Sequence, residues 1–169
     1  MIKKELVNAI NDQINLEFQA AYSYLGMAAY FENENLSGFA NWFKVQHEEE
    51  QQHAMRLFQY LIDRGGDVSL AALSAPKMTY TTPLEVFQAS LKQEEANTES
   101  INQLYDLAGK MNDHATISHL QWFIDEQVEE EKSVSEILAL VERAQDEIQA
   151  MLYLNDKLAA RTLGGGEIL

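Results

Sequence analysis

A glutamate and a histidine three residues apart, Glu50 and His53, offer the plainest chemistry in the sequence. They lie in a segment whose apolar residues recur at alternating spacings of four and three, which is the pattern of a helix packed in a bundle. Both residues fall on the inward face of that helix. An ionised carboxylate buried without a partner is costly, and an inward Glu-x-x-His is a motif by which helical bundles hold metal ions.

Three further segments have the same helical spacing, and a polar residue interrupts the inward apolar face of each. Glu17 interrupts the first, Glu94 the third, and Gln127 and Glu130 the fourth. A single inward glutamate is most often a hydrogen-bonded core residue, but four carboxylates around one imidazole cannot all stay ionised without cations. Two divalent ions sharing a bridging carboxylate would neutralise them. Because the chain has no cysteine, oxygen and imidazole ligands favour iron or manganese.

The elements that must position these residues are long helices. We predict helices over residues 4–31, 37–64, 83–110, 113–144 and 147–161, within a single domain spanning residues 1–169. Both prolines, Pro76 and Pro83, lie in one region, so nothing interrupts the long helices. We interpret residues 65–81 as a crossover that returns the chain along the bundle and makes the third helix parallel to the second. The predicted fold class is an all-α four-helix bundle with this long crossover and a short fifth helix.

Local signals mark the helix ends. Ser37 is a candidate N-cap of the second helix, and Gly65 supplies the backbone freedom to end it. Thr82 and Glu85 form a capping box at the start of the third helix, with Pro83 at its first position.

Composition narrows the classes of function. A chain of 169 residues, 46% hydrophobic and 23% charged, is typical of a soluble globular domain. Its formal net charge of −15 argues against nucleic acid and anionic membranes as partners and favours cations. No stretch approaches the ~20 apolar residues that span a bilayer, and the chain begins with a helical pattern instead of a signal peptide, so a cytoplasmic location is expected.

On these residues, the chain resembles the bacterial-type non-haem ferritins over essentially its full length. The resemblance implies a ferroxidase that oxidises Fe(II) with dioxygen or peroxide and stores ferric oxyhydroxide inside a hollow homo-oligomeric shell of 24 subunits. By position, the implied ligands are Glu17, Glu50 and His53 at the first iron and Glu94 and Glu130 at the second, with Glu50 bridging and Gln127 close by.

The fourth helix departs from two related classes of di-iron protein. Haem-containing bacterioferritins and reductase-type proteins would have a second Glu-x-x-His where this chain has Gln127-Val128-Glu129-Glu130. The second iron then has carboxylate ligands only, and we expect it to bind more weakly and to leave after oxidation. Bacterioferritins also have a haem-ligating methionine directly after the second-helix glutamate. This chain has Gln51 there, so no haem is expected.

Two further assignments extend the candidate site. Glu49, Glu126 and Glu129 lie about 100° round their helices from inward positions. Such acidic runs are usually solvated surface, whereas the resemblance implies a third iron site on the cavity side. Tyr24 lies two helical turns beyond Glu17 on the same face. It is expected to hydrogen-bond a ligand carboxylate, and the resemblance adds electron donation during oxygen reduction as a second role.

A different function stays open on the sequence alone. The same bundle could belong to a non-storing di-iron protein or to a catalytically inactive cage subunit. The fifth helix favours a shell, because it would complete contacts between subunits and would have no role in an isolated bundle.

Overall fold

The computed structural model describes residues 2–164 and consists of five helices with no strand among those residues. They are α1 (Lys4–Asn33), α2 (Ser37–Asp63), α3 (Pro83–Lys110), α4 (His114–Ala144) and α5 (Ile148–Leu158). The predicted all-α class is confirmed. Residues 1 and 165–169, which the predicted domain includes, lie outside the described residues. None of the five helices combines the length and hydropathy that crossing a membrane requires.

Contacts along α1 fix the directions of its two neighbours. They are Ala21 with His47 and Phe31 with Phe39 between α1 and α2, and Gln13 with Asn97 and Tyr24 with Ser90 between α1 and α3. In both pairs the residue number falls on the partner helix as it rises on α1, so α2 and α3 are each antiparallel to α1. They therefore run parallel to each other, as the long crossover between them requires.

The crossover is fastened to α1 by a row of side-chain amides. Asn11, Asn15 and Gln19 follow one another at four-residue spacing, which aligns them on one face of the helix. Each accepts a hydrogen bond from a backbone N–H of the crossover at 2.7 to 2.8 Å. Each also donates one to a crossover carbonyl at 2.9 to 3.2 Å. These amides supply the backbone partners that a segment without secondary structure otherwise lacks.

Three of the four long helices end in the same way. A residue with positive φ follows each helix: Asn35 (60°), Gly65 (70°) and Asn112 (55°). The N–H of the next residue then bonds to the carbonyl five positions back, at 2.9 to 3.0 Å. This geometry satisfies carbonyls that the helix leaves free, and it favours glycine and asparagine because they tolerate positive φ.

The prediction that Ser37 caps α2 is wrong. Leu36 occupies the cap position and Ser37 is already helical, without a side-chain capping bond. The cap comes instead from α5, where Asn155 Oδ1 accepts hydrogen bonds from the backbone N–H groups of Gly38 (2.8 Å) and Phe39 (3.3 Å). A residue more than a hundred positions away thus satisfies the free donors at the start of α2.

Of the two hydrogen bonds expected in the capping box of α3, one is present and the other goes to a different residue. Thr82 Oγ1 accepts from the N–H of Glu85 at 3.2 Å, as predicted. The Glu85 carboxylate reaches back to Thr81 instead of Thr82, accepting from its N–H at 2.8 Å and its hydroxyl at 2.7 Å. α5 ends at Leu158, three residues before the predicted position, because the next turns close with tighter bonds to carbonyls three residues back.

An ion pair joins the end of α2 to the start of α4. The Arg64 guanidinium donates to both carboxylate oxygens of Asp113, at 3.0 and 2.8 Å. Asp113 also caps α4 by accepting from the N–H of Thr116 at 3.0 Å. These bonds to the ionised form hold the pKa of Asp113 well below its usual range.

The interior consists of two apolar clusters at opposite ends of the bundle. The aromatic cluster includes Phe31, Phe39, Trp42, Phe43 and Phe87. The aliphatic cluster includes Leu6, Ile10, Ile14, Leu57 and Leu61. Polar side chains that lie between the two clusters are therefore shielded from water in both directions along the bundle axis.

The close approach of α5 to α2 yields a stability prediction. A Cβ added at Gly38 would lie 1.7 Å from the backbone oxygen of Asn155, so Gly38→Ala must displace α5. We expect a loss of about 1–3 kcal/mol, measured as a lower Tm by circular dichroism. The control is Gly109→Ala in α3, whose Cβ would meet no atom within 4 Å and should stabilise the helix by about 0.5–1 kcal/mol. Equal Tm values for the two variants would contradict the tight contact.

Candidate metal centre

A layer of buried polar side chains lies between the two apolar clusters, with contributions from all four long helices. Its members are Gln13, Glu17, Gln46, Glu50, His53, Glu94, Asn97, Gln127 and Glu130. Glu17, Glu50 and Glu94 are each 0% exposed. Carboxylates are almost never buried to this extent unless they are paired or bind metal, so this layer is the candidate site.

One group of potential metal ligands comes from α1 and α2. Glu17, Glu50 and His53 each offer a ligand atom, and these atoms lie within 4.8 Å of one another. His53 Nδ1 is 3.5 Å from Glu50 Oε2. This spacing lets the three side chains converge on one ion after small rotations.

A second group shares the histidine. His53, Glu126 and Glu130 also have ligand atoms within 4.8 Å of one another, and His53 Nε2 is 3.9 Å from Glu126 Oε1. The two ring nitrogens therefore face different carboxylates. The sequence pattern placed His53 on the inward face but did not reveal that its ring lies between two groups.

Glu94 lies apart from both groups and is engaged by neutral donors. The Tyr24 hydroxyl hydrogen-bonds Glu94 Oε1, and Ser90 Oγ donates to that hydroxyl at 3.2 Å. Gln127 Nε2 is 3.4 Å from Glu94 Oε2 and 3.3 Å from the Glu94 backbone oxygen. Tyr24 thus contacts the carboxylate that the sequence assigned to the second iron.

Two amides fix the carboxylate of Glu17. Gln13 Nε2 donates to Glu17 Oε1 at 2.7 Å, and Asn97 Nδ2 donates to Glu17 Oε2 at 3.0 Å. Gln13 also donates to Asn97 Oδ1 at 2.7 Å, which locks the pair together. Asn97 was missed in the sequence, although its position three residues after Glu94 places it on the same helical face.

Glu50 has the opposite environment. Both of its carboxylate oxygens are buried and accept no hydrogen bond from the described residues. Glu130, by contrast, accepts from Gln46 Nε2 at 2.8 Å. Buried polar atoms nearly always have partners, so the bare carboxylate of Glu50 is the feature of the layer that calls most strongly for a cation.

Beside the layer, a pocket of about 440 Å³ opens between α2 and α4. Its lining includes Glu49, His53, Trp122 and Glu126, together with Arg56, Leu163 and Gly164. Glu49 and Glu126 are partly buried there, whereas Glu129 is exposed and does not line the pocket. The structure thus brings together two of the three carboxylates that the sequence assigned to a third site.

The family of this chain follows from comparison with known proteins. The family model of the ferritin-like domain matches residues 7–144. A bacterial non-heme ferritin of Staphylococcus aureus strain USA300 is 41% identical over 162 residues, which cover 96% of this chain and 98% of that protein. The chain belongs to the ferritin family. A bacterial non-heme ferritin of Staphylococcus saprophyticus is likewise 40% identical over 167 residues, covering 99% of this chain and 100% of that protein.

Solved structures agree with this ferritin in fold. The open pore ferritin of the hyperthermophilic archaeon Archaeoglobus fulgidus has a TM-score of 0.95 and 39% identity, covering 96% of this chain and 100% of that chain. A form of the same archaeal ferritin engineered to be closed has the same TM-score and identity, over 96% of this chain and 99% of that chain. The resemblance inferred from the sequence is therefore confirmed at the level of the family and the fold.

Burial and mutual repulsion disfavour the ionised carboxylates of this ferritin. Burial is the largest cause that raises the pKa of Glu50 well above its usual value, and the charges of Glu94, Glu17 and Glu130 add to it. Burial and Glu130 raise the pKa of Glu94 to about 8. Burial, with the same carboxylates nearby, also raises the pKa of Tyr24, which keeps its hydroxyl protonated. In the metal-free protein, protons therefore neutralise part of this charge.

The raised pKa of Glu94 also has a consequence for stability. A carboxyl whose folded-state pKa exceeds its unfolded value stabilises the fold fully below the unfolded pKa. That contribution is lost as the pH rises from about 4.5 to about 8, because the unfolded chain ionises first. A bound cation reverses the preference, since it stabilises the ionised carboxylate.

Metal loading is therefore expected to release protons in a pH-dependent way. A metal ion bound to Glu94 would need its ionised carboxylate, which is largely protonated below about pH 8 in the metal-free protein. Proton release on binding Zn(II), a redox-inert probe, should fall as the pH is raised from about 6.5 to about 9. Calorimetry in buffers of different ionisation enthalpy measures this release, and Glu94→Gln should remove part of it. A release in the unchanged chain that does not vary over this range would contradict the assignment.

Proposed function

We propose that this ferritin is an iron-storage protein and a ferroxidase. Fe(II) is the substrate, dioxygen or peroxide is the oxidant, and the product is stored as ferric oxyhydroxide mineral. The carboxylate of Glu50 carries this proposal, because it is fully buried, has no amide, hydroxyl or backbone donor, and lies among three other carboxylates, with that of Glu17 close enough to share a proton with it. A pair of iron ions supplies the positive charge that this layer lacks.

In the proposed centre, Glu50 bridges two iron ions. Glu17 and His53 complete the first, which the spacing of their ligand atoms supports. Glu94 and Glu130 complete the second, with Gln127 holding Glu94 in position until iron arrives. The second ion has no imidazole of its own and is bound less tightly, so it passes onward after oxidation.

The electron balance follows from the pair of ions. Each Fe(II) gives up one electron, so two ions reduce dioxygen to hydrogen peroxide with two protons, or hydrogen peroxide to two molecules of water with two protons. The carboxyl groups that iron deprotonates can supply these protons locally. Tyr24 is proposed as an additional electron donor. Its hydrogen bond to Glu94 gives the phenolic proton a direct acceptor when the electron leaves.

We further propose that Glu49, Glu126 and Glu129 bind a third iron ion between the centre and the storage cavity. The second ligand group, in which His53 and Glu126 approach each other, supports this location. The pocket beside Glu49 and Glu126 gives a cation access to it. An ion there would lie on the route by which oxidised iron leaves the bundle.

The proposed storage shell of 24 identical subunits needs apolar contact surfaces outside the bundle core. Ile148 and Leu152 of α5 lie one turn apart and are 77% and 50% exposed. Other exposed apolar side chains are Tyr22 and Leu25 of α1 and Leu73 of the crossover. Exposed apolar side chains on different elements allow each subunit to contact different neighbours, as a closed shell requires.

Iron oxidation by Glu50→Ala tests the ferroxidase directly. Fe(II) is added anaerobically and then exposed to air, with near-ultraviolet absorbance recording oxidation. The unchanged chain should oxidise two or three iron ions per subunit rapidly, and the variant should be slower by roughly 10- to 100-fold or more, since the bridging ligand is lost. Glu48→Ala is the matched control, being an exposed glutamate two positions away on α2. Equally slow oxidation by all three chains would indicate a passive cage subunit.

The assembly proposal is tested by charging the exposed face of α5. Leu152→Arg places a cation in the apolar patch and should yield assemblies smaller than the unchanged chain, as measured by light scattering after size exclusion. Gln59→Arg is the control and should leave assembly unchanged. It adds the same charge at an exposed position of α2, where Asp63 already accepts a hydrogen bond and can pair with arginine. Assembly that is unaffected by Leu152→Arg would exclude this face from the shell contacts.

A further inference from the structure

The segment that follows α5 turns back across α2 and is fastened there. Asn41 Nδ2 lies 3.0 Å from the backbone oxygen of Arg161 and 3.4 Å from that of Ala159. The Arg161 guanidinium lies over the Trp42 ring at 4.5 Å, and its Nη1 is 3.4 Å from the Trp42 backbone oxygen. These contacts hold Arg161 against the face of α2 that carries the candidate third site.

Arg161 makes an ion pair with one of the carboxylates proposed for that site. Its Nη2 is 2.5 Å from Glu49 Oε2, and the two side chains are only 11% and 19% exposed. An ion pair withdrawn from water in this way is screened less than a surface pair. The same segment continues to Leu163 and Gly164, which line the pocket opposite Glu126.

Arg161 and a third iron ion would compete for Glu49. Arg161 already occupies one oxygen of the carboxylate, and the backbone N–H of Gly164 also donates a hydrogen bond to Glu49. A divalent ion bound to the other oxygen would lie within a few ångströms of the guanidinium charge, and the two cations would repel each other. Binding of the third ion is therefore weaker while Arg161 stays paired with Glu49, and it favours separation of the pair.

We propose that Arg161 is a built-in counter-cation of the third metal site. It neutralises Glu49 when no ion is bound there, it weakens the binding of the third ion, and it releases Glu49 when that ion arrives. The third site is then a place of transit, because the guanidinium returns to Glu49 as iron leaves. This inference rests on the proposed function, since it presumes that Glu49 helps to bind iron.

Three variants distinguish this role of Arg161 from a merely structural one. Arg161→Gln removes the charge while the Asn41 hydrogen bonds still hold the backbone of the segment. Arg161→Lys keeps a charge beside Glu49. Lys157→Gln is the matched control, because it removes one positive charge from the adjoining turn of α5, where Lys157 lies 5.5 Å over Tyr153 and does not line the pocket.

The test is an anaerobic Fe(II) binding titration of the assembled protein, by calorimetry, at fixed pH. We expect Arg161→Gln to bind the third ion about tenfold more tightly, with the first two ions unchanged and Arg161→Lys close to the unchanged chain. In a Glu49→Gln background, Arg161→Gln should have no effect on metal binding. This dependence on Glu49 distinguishes competition at the site from a general change in charge.

Several results would overturn the inference. They are an unchanged affinity for the third ion in Arg161→Gln, a gain of the same size in Lys157→Gln, a gain that persists without Glu49, or only two ions bound by every chain. A failure of the unchanged chain to bind even the first two ions would overturn the proposed function, and this inference with it.

Discussion

The burial of four carboxylates at one level of a helical bundle is the constraint on which the rest of the structure depends. Apolar clusters above and below exclude water from this level, so charge there cannot be dissipated by solvent. Protons or metal ions must neutralise it, and the raised pKa values of Glu50 and Glu94 express the first alternative. Stability and metal binding are therefore two aspects of the same electrostatic balance.

The neutral side chains around this level hydrogen-bond some of the carboxylates and not others. Amides hold both oxygens of Glu17, Tyr24 and Gln127 engage Glu94, and Gln46 binds Glu130. Only Glu50 is left without a donor among the described residues. A bridging ligand must give one oxygen to each of two ions, and Glu50 is the carboxylate for which this costs no existing hydrogen bond. The pattern of hydrogen bonds thus supports the proposal that Glu50 is the bridging ligand, and it orders the other three carboxylates.

Helical period is the reason that so much of this arrangement could be predicted from the sequence. The helical period determines which residues lie on the inward face of each helix. The spacing of apolar residues alone therefore predicts the inward positions of Glu17, Glu50, His53, Glu94 and Glu130. Tertiary partners do not follow from it. The capping of α2 by Asn155 and the binding of the crossover by α1 amides join residues far apart in the chain. Nor does spacing reveal which nitrogen of His53 faces which carboxylate, since that depends on side-chain rotation within a known face.

The role of α5 connects assembly to the metal centre. Asn155 caps the start of α2, and Arg161, just beyond α5, binds Glu49 halfway along the same helix. α2 also supplies Glu50 and His53, so a helix that carries candidate ligands is held at two points by the chain segment with the most exposed apolar face. In the proposed shell, a subunit contact on the exposed face of α5 would therefore also restrain α2. A helix of eleven residues is too short to be stable by itself, and within one subunit Leu154 and Leu158 anchor α5 in the aromatic cluster.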